Sequence, residues 1–214
     1  MDRREVIAWL REEREGELAR LWQEADRIRC RYVGDGVHLR GLVEISNCCR
    51  RECHYCGLRA ENPYLRRYRM TAEEIMACAA EAVAYGYGTF VMQAGEDDGF
   101  SAGWIAGIVR RIRRETPLAV TLSLGERSEA ELSLWRRAGA DRYLLRFETS
   151  NRDLYERIHP PLNGRRSDRL AILRMLAGLG YEVGSGVMIG IPGQTYGDLA
   201  ADMELFRELD LDMI

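Results

Sequence analysis

Residues 42–59 read LVEISNCCRRECHYCGLR, a short extended run that leads straight into four of the chain's six cysteines. Two arginines and a glutamate sit among those cysteines. So dense a set of thiols on one loop serves either a disulfide cage or a metal or iron-sulfur site. The rest of the chain decides between them.

The 214 residues are 46% hydrophobic, ordinary for a folded globular protein. No stretch of about 18 uninterrupted apolar residues occurs, so no membrane segment is expected. The opening MDRREVIAWLREEREGE mixes both charge signs where a signal or transit peptide would have an apolar core or lack acids. A cytoplasmic protein is expected. In that reducing compartment, clustered cysteines more often bind metal or do redox work than form structural disulfides. All 31 basic residues are arginine, yet 34 acidic residues interleave with them and the net charge is −3, which offers no basic face for nucleic acid.

Outward from the cysteine loop, two apolar periods alternate. Upstream, Val6, Leu10, Leu18, Leu21, Trp22, Ala25 and Ile28 recur at helical spacing, predicting two helices broken near Gly16. Downstream, Thr71 and Glu74 form a capping box that opens a helix through about Tyr85, and TFVMQ (89–93) reads as a buried strand. A helix over 102–114 and the strand LAVTLSL (118–124) repeat the pattern. Ser128 and Glu131 cap the next helix, which stops at Gly139 before the strand RYLLRFE (142–148). A helix over 167–178, the strand EVGSGVMIGI (182–191) and a helix from Thr195 to about Glu208 follow, and LDMI (211–214) begins a sixth strand.

Such a βα repeat implies an α/β protein with a parallel sheet covered by helices. Doubly wound sheets and (β/α)8 barrels both fit. The barrel gains from where the unusual residues fall: Ser46–Cys56, Gln93–Asp97, Thr121–Ser123, Arg146–Thr149 and Met188–Gly190 all sit at strand C-terminal ends, which in a barrel share one mouth. The expected fold is a partial (β/α)8 TIM-type barrel, about the first five to six βα units. Residues 1–35 would be an N-terminal helical extension and 36–214 the core.

Cys49, Cys53 and Cys56 have the spacing C-x3-C-x2-C. Three thiolates can hold three irons of a 4Fe-4S cluster and leave the fourth iron open to a small molecule. Two alternatives stay open: Cys48-x4-Cys53-x2-Cys56 with Cys78 as a distant fourth ligand of a ferredoxin-type cluster, and a structural zinc site. Cys30 and Cys78 read as buried thiols, Cys48 as a neighbour of the cluster. His54 reads as an exposed spacer, and His38 and His159 as structural.

The cysteine spacing on the loop after the first strand resembles the radical S-adenosylmethionine (SAM) superfamily. SNCCRRECHYCGLRAENPYLRRYRMTAEEI, QAGEDD, VTLSLGE, AGADRYLLRFET, LGYEVGSGVMIGIPGQT and LDLDMI together resemble the HydE-type maturase of FeFe-hydrogenase, from about residue 36 to the end. Biotin synthase and methylornithine synthase share the cysteine loop but match the later blocks less well. The resemblance implies an enzyme with two cofactors, a 4Fe-4S cluster on Cys49, Cys53 and Cys56, and SAM, which is cleaved to a 5'-deoxyadenosyl radical. It places Tyr55 beside the adenine, Gly95 and Glu96 at the SAM amino group, Glu148 at the polar part of SAM and Arg169 at its carboxylate. Thr121, Ser123 and Arg146 would line the same cavity, and Met188 and Met213 would pack against adenosine. Phe147 stands where the family commonly has histidine.

The expected partners are SAM, a small sulfur-containing substrate such as an iron-bound cysteine, and other hydrogenase maturases. A complete barrel needs eight strands, so the family's later substrate-facing residues and its optional second cluster would lie beyond residue 214. The chain is therefore expected to be a fragment or truncated reading frame that lacks maturation activity by itself.

Overall fold

The computed structural model describes residues 1–164 and 166–214. Five strands, β1 (Gly41–Ser46), β2 (Thr89–Ala94), β3 (Ala119–Ser123), β4 (Arg142–Leu144) and β5 (Glu182–Gly184), form one parallel sheet in the order β1-β2-β3-β4-β5. That monotonic order separates the two architectures left open by the sequence. A doubly wound sheet reverses its strand order at a switch point, whereas a barrel winds in one direction. The winding continues past β5, where Ser185 donates its backbone N–H to the Met213 carbonyl and Gly184 bridges Met213 in parallel. The partial barrel is as expected.

Strand alternation sorts the two faces. Ile45, Phe90, Met92, Val120, Leu122, Tyr143 and Val183 face the helices and form the main core with α3 (Ala72–Ala84), α4 (Ala102–Glu115), α5 (Glu129–Ala138) and α7 (Arg169–Gly178). Leu42, Val91, Gln93, Thr121 and Leu144 face the other way, into an open cavity of about 680 Å³. The capping boxes at Thr71/Glu74 and Ser128/Glu131 form as expected, and Gly139 ends α5 at φ 110.

Three local departures have physical causes. Strand β4 ends at Leu144 instead of 148. There the Ser185 hydroxyl replaces a ladder carbonyl as acceptor for Phe147 N–H, and Glu148 turns into the left-handed region at φ 65. Strand β5 ends at Gly184 instead of 191, in a stretch that runs through Gly184, Gly186 and Gly190. An additional helix, α6 (Arg152–Ile158), follows β4; Asn151 caps it by accepting from the N–H groups of Asp153 and Leu154. Seven residues are too few to print a helical period.

At the N-terminus, α1 (Arg3–Leu10) buries Val6 and pairs Arg3 with Glu204 on α8 (Tyr196–Glu208). Helix α2 (Glu15–Tyr32) has the expected apolar stripe but buries none of it, and every residue from Trp22 to Arg40 is exposed. Cys30 and His38 therefore lie in solvent, against expectation, while Cys78 packs half-buried against the main core.

Candidate active site

The cysteine loop lies directly on the end of β2. A Cβ added to Gly95 would fall 2.4 Å from the Cys48 carbonyl oxygen and 2.7 Å from the Cys49 Cβ, so only glycine permits this approach. Arg50 N–H donates to the Glu96 carbonyl at 3.0 Å, and His54 N–H to the Ile158 carbonyl at 2.9 Å. The loop is thereby tied to the segments following both β2 and β4.

Within it, the Cys49 and Cys53 thiols each feel the charge of Cys56, and Cys53 that of Cys49. Burial pushes the Cys53 thiol up to about 11, reinforced by Cys49 and Cys56 and opposed by Arg169. Cys49 is raised chiefly by burial, with Cys56 adding to it, while the Arg51 N–H, 3.4 Å from its sulfur, works the other way. Cys48 points elsewhere, its sulfur 3.7 Å from the Tyr68 carbonyl. The trio thus excludes Cys48, and Cys78 sits apart on α3.

Among the described residues, the set of three donor atoms gathered within 4.8 Å of one another belongs to Glu96, Glu126 and His159, not to the cysteines. Three soft sulfurs on one loop are the donor set of a polynuclear iron-sulfur cluster with one iron left open. The Glu96–Glu126–His159 set is already filled by two guanidinium groups, described next.

Arg169, the first residue of α7, is buried where the loops after β2, β3 and β4 meet. It donates Nε to Glu126 Oε1 at 3.0 Å and Nη1 to the Arg146 carbonyl at 2.6 Å, and its Nη2 lies 2.8 Å from His159 Nε2. Its Nη1 and Nη2 also lie 3.6 Å from Glu148 and 3.8 Å from Glu96. From the cysteine side, Arg51 donates Nε to Glu96 Oε2 at 2.7 Å and reaches Glu126 Oε2 with Nη2, also at 2.7 Å. Tyr55 donates its hydroxyl to Glu148 Oε1 at 3.2 Å.

The charges respond to this packing. Burial alone would raise Glu126, but the Ser167 hydroxyl, Arg169 and Arg51 outweigh it and hold the carboxyl below its usual range. Burial raises Glu148, only partly offset by Arg146 and Arg169, and leaves Glu148 Oε2 without a hydrogen-bond partner among the described residues. His159 is pushed down to about 3 by burial and by the Arg169 and Arg51 charges, so it is neutral and accepts from Arg169 at Nε2.

Tyr55, Glu96, Glu148 and Arg169 thus come together beside the three cysteines. Gly95 supports the loop by its missing side chain. Thr121, Arg146 and Met213 line the barrel cavity, where the buried Thr121 hydroxyl has no partner among the described residues. Ser123 lies two residues farther along the Thr121 face of β3. Met188 packs in a separate small cluster with Leu154, Ile158 and Ile191. Sequence reasoning missed Arg51, Glu126, His159 and Ser167. A signal for Glu126 was present: Gly95-Glu96 follows β2 and Gly125-Glu126 follows β3, the same glycine-glutamate step after neighbouring strands.

Residues 43–206 match the Radical SAM superfamily. Over 194 residues the chain is 48% identical to the FeFe-hydrogenase maturase subunit HydE of Thermotoga maritima, covering 91% of this chain and 55% of that protein. It is similar to the crystal structure of methylornithine synthase (PylB), with TM-score 0.87 and 25% identity over 100% of this chain and 63% of that one. The structure of HydG, another maturase of FeFe-hydrogenase, shares the fold at TM-score 0.85 and 22% identity, covering 98% of this chain and 48% of that one. The chain spans less than two thirds of the length of each of these relatives.

Proposed function

The chain belongs to the radical SAM superfamily, and from that premise we propose that it carries the cluster and most of the SAM site of a HydE-type enzyme of hydrogenase maturation. The observation that carries this reading is the three-thiol loop of Cys49, Cys53 and Cys56, packed on the end of β2 at Gly95 with Cys48 turned to the Tyr68 carbonyl. A 4Fe-4S cluster held by these thiolates would supply the electron that cleaves SAM to methionine and a 5'-deoxyadenosyl radical.

The protein's own groups would bind and orient. Arg169 has the planar fork suited to the SAM carboxylate. That fork is held by Glu126, Glu148, His159 and the Arg146 carbonyl; its 3.6 Å contact to Glu148 is the longest of these and the one Arg169 would give up to hold a carboxylate. Glu148, raised by burial and only partly paired, would gain the sulfonium or ammonium charge as a partner. Tyr55 would close the cysteine side of the pocket, with Met188 and Met213 offering apolar surface to adenosine. Glu96 is committed to Arg51 by its side chain and to Arg50 N–H by its carbonyl, which leaves the Gly95 carbonyl for the SAM amino group.

The cavity lined by Gln93, Thr121 and Arg146 would accept the substrate, a small sulfur-containing or iron-cysteine compound, with other maturases as partners. Residues 1–35 would act as a helical extension and 36–214 as the chemical core. The 48% identity to HydE favours this assignment over a methylornithine synthase-like activity, whose structure is 25% identical. Among the described residues no helix is long and apolar enough to cross a membrane, in keeping with a cytoplasmic role. Anaerobic reconstitution with iron, sulfide, reductant and SAM tests the proposal. Release of 5'-deoxyadenosine and methionine in equal amounts is expected, and a chain that binds iron without cleaving SAM would contradict it.

A further inference from the structure

The cysteine loop carries two adjacent arginines that the structure treats in opposite ways. The Arg50 side chain is 39% exposed and pairs across the surface with Asp98 at 3.0 Å, itself 64% exposed, reaching Glu96 Oε2 only at 3.5 Å. The Arg51 side chain is 7% exposed and turned into the protein. It lies midway between Cys49 and Cys53. Its guanidinium spans the carboxylates of Glu96, after β2, and Glu126, after β3, at 2.7 Å each. Its backbone is committed as well: the N–H points at the Cys49 sulfur at 3.4 Å, and the carbonyl accepts from Ala60 N–H at 2.8 Å, closing the loop.

The two carboxylates are fixed in turn. Glu126 N–H donates to Glu96 Oε1 at 3.3 Å, and Arg169 holds Glu126 from behind. At Gly125, φ 77, an added Cβ would lie 2.1 Å from the Glu96 Cγ, so the two strand ends approach as closely as glycine allows. The cysteine loop contributes only Cys53 to the buried apolar side chains between Asn47 and Ala60. Its position is therefore set by polar ties, and Arg51 is the buried charged one.

We propose that Arg51 is a positioning residue for the cluster: strung between Glu96 and Glu126, it fixes the segment between Cys49 and Cys53 against the ends of β2 and β3 so that the three thiols converge. This rests on the reading of Cys49, Cys53 and Cys56 as cluster ligands. Removing one partner of a buried ion pair leaves the other charges uncompensated, whereas an exposed pair contributes little. Arg50 is therefore an internal control for Arg51, with the same side chain one residue away.

The test uses the reconstituted 214-residue chain and reads two quantities besides turnover: the rate at which a chelator strips iron, and the electron paramagnetic resonance line shape of the reduced cluster. Arg51→Met is expected to release iron at least about tenfold faster and to broaden the signal, whereas Arg50→Met stays within about twofold of wild type. Arg51→Lys keeps the charge but cannot span two carboxylates with one planar fork, so it should fall between them. The double variant Arg51→Met with Glu96→Gln should release iron no faster than Arg51→Met alone, because the two groups form one tie, which general loss of folding would not produce. If Arg51→Met proves too unstable to load, Arg51→Lys against Arg50→Lys still decides. Iron release in Arg51→Lys equal to wild type, or additive effects in the double variant, would overturn the inference. A wild-type chain that takes up no iron would overturn the cluster reading itself, and this inference with it.

Discussion

Tyr55 donates its hydroxyl to Glu148 Oε1 at 3.2 Å, joining the cysteine loop after β1 to the left-handed turn after β4. Glu148 adopts φ 65, a conformation unfavourable for a residue with a side chain, and its carboxyl is raised by burial. A strained, partly paired carboxylate beside three thiols is the kind of feature a binding site retains at some cost to stability.

Glu148→Gln should therefore stabilise the chain near neutral pH in the absence of SAM while weakening SAM binding. The sign follows from the raised folded-state value: the folded chain holds the Glu148 proton more tightly than the unfolded chain, so the contribution is most favourable at low pH and is lost as pH rises through that value. Glutamine mimics the protonated form and removes the loss. Denaturant melts at about pH 7, together with SAM titration of the reconstituted protein, check both halves. A destabilised Gln variant would mean that Arg146 and Arg169 more than offset the burial.

Changing Cys49, Cys53 or Cys56 to alanine should abolish a stable cluster, whereas Cys48→Ala, Cys30→Ala and Cys78→Ala should retain it. Cys48 faces the Tyr68 carbonyl, Cys30 is in solvent on α2, and Cys78 packs against the core from α3. Iron and sulfide content of each variant decides. Cluster loss in Cys48→Ala with retention in Cys49→Ala would reverse the assignment.

Gly95→Ala should displace the cysteine loop, because the new Cβ would sit 2.4 Å from the Cys48 carbonyl oxygen. The helix that follows supplies a control. A methyl added at Gly107, inside α4, would meet nothing within 4 Å, and alanine there should stabilise the chain by roughly 0.5–1 kcal/mol. Thermal melts and iron uptake of the two variants should separate, with cluster loss confined to Gly95→Ala.

His159 gives an acid-dependent signature. Its folded-state value lies near 3, against an ordinary 6.5, because of burial and the neighbouring Arg169 and Arg51 charges. The unfolded chain therefore takes up the proton first as pH falls below 6.5, and the stabilisation present above that pH is lost toward pH 3. The limiting slope is about 1.4 kcal/mol per pH unit. Urea melts of wild type and His159→Gln from about pH 7 to about pH 4 should converge as the pH falls. Parallel curves would show that His159 binds its proton alike in the folded and unfolded chains.

The sequence made the winding and the thiol spacing legible because both are local: capping boxes and strand runs announce each βα unit, and the three thiols lie within one loop. It made Tyr55, Glu148 and Arg169 legible through motif resemblance. The clamp of Arg51 on Glu96 and Glu126 was not legible, because nothing in a run of arginines says which one turns inward. His159 was likewise hidden, since its partner Arg169 comes from the start of another helix. The stripe on α2 misled in the other direction: it has the period of a packed helix, yet its apolar residues beyond Leu21 meet no core.

If Cys49, Cys53 and Cys56 hold a cluster whose open iron faces a SAM site, the cluster must sense SAM. The electron paramagnetic resonance spectrum of the reduced, reconstituted chain with and without SAM reads that contact. A single 4Fe-4S signal whose g values change on adding SAM, in wild type but not in Arg169→Ala with its iron intact, is the predicted result. A cluster signal indifferent to SAM would contradict it, because a fully ligated, ferredoxin-type cluster has no open iron for SAM to occupy.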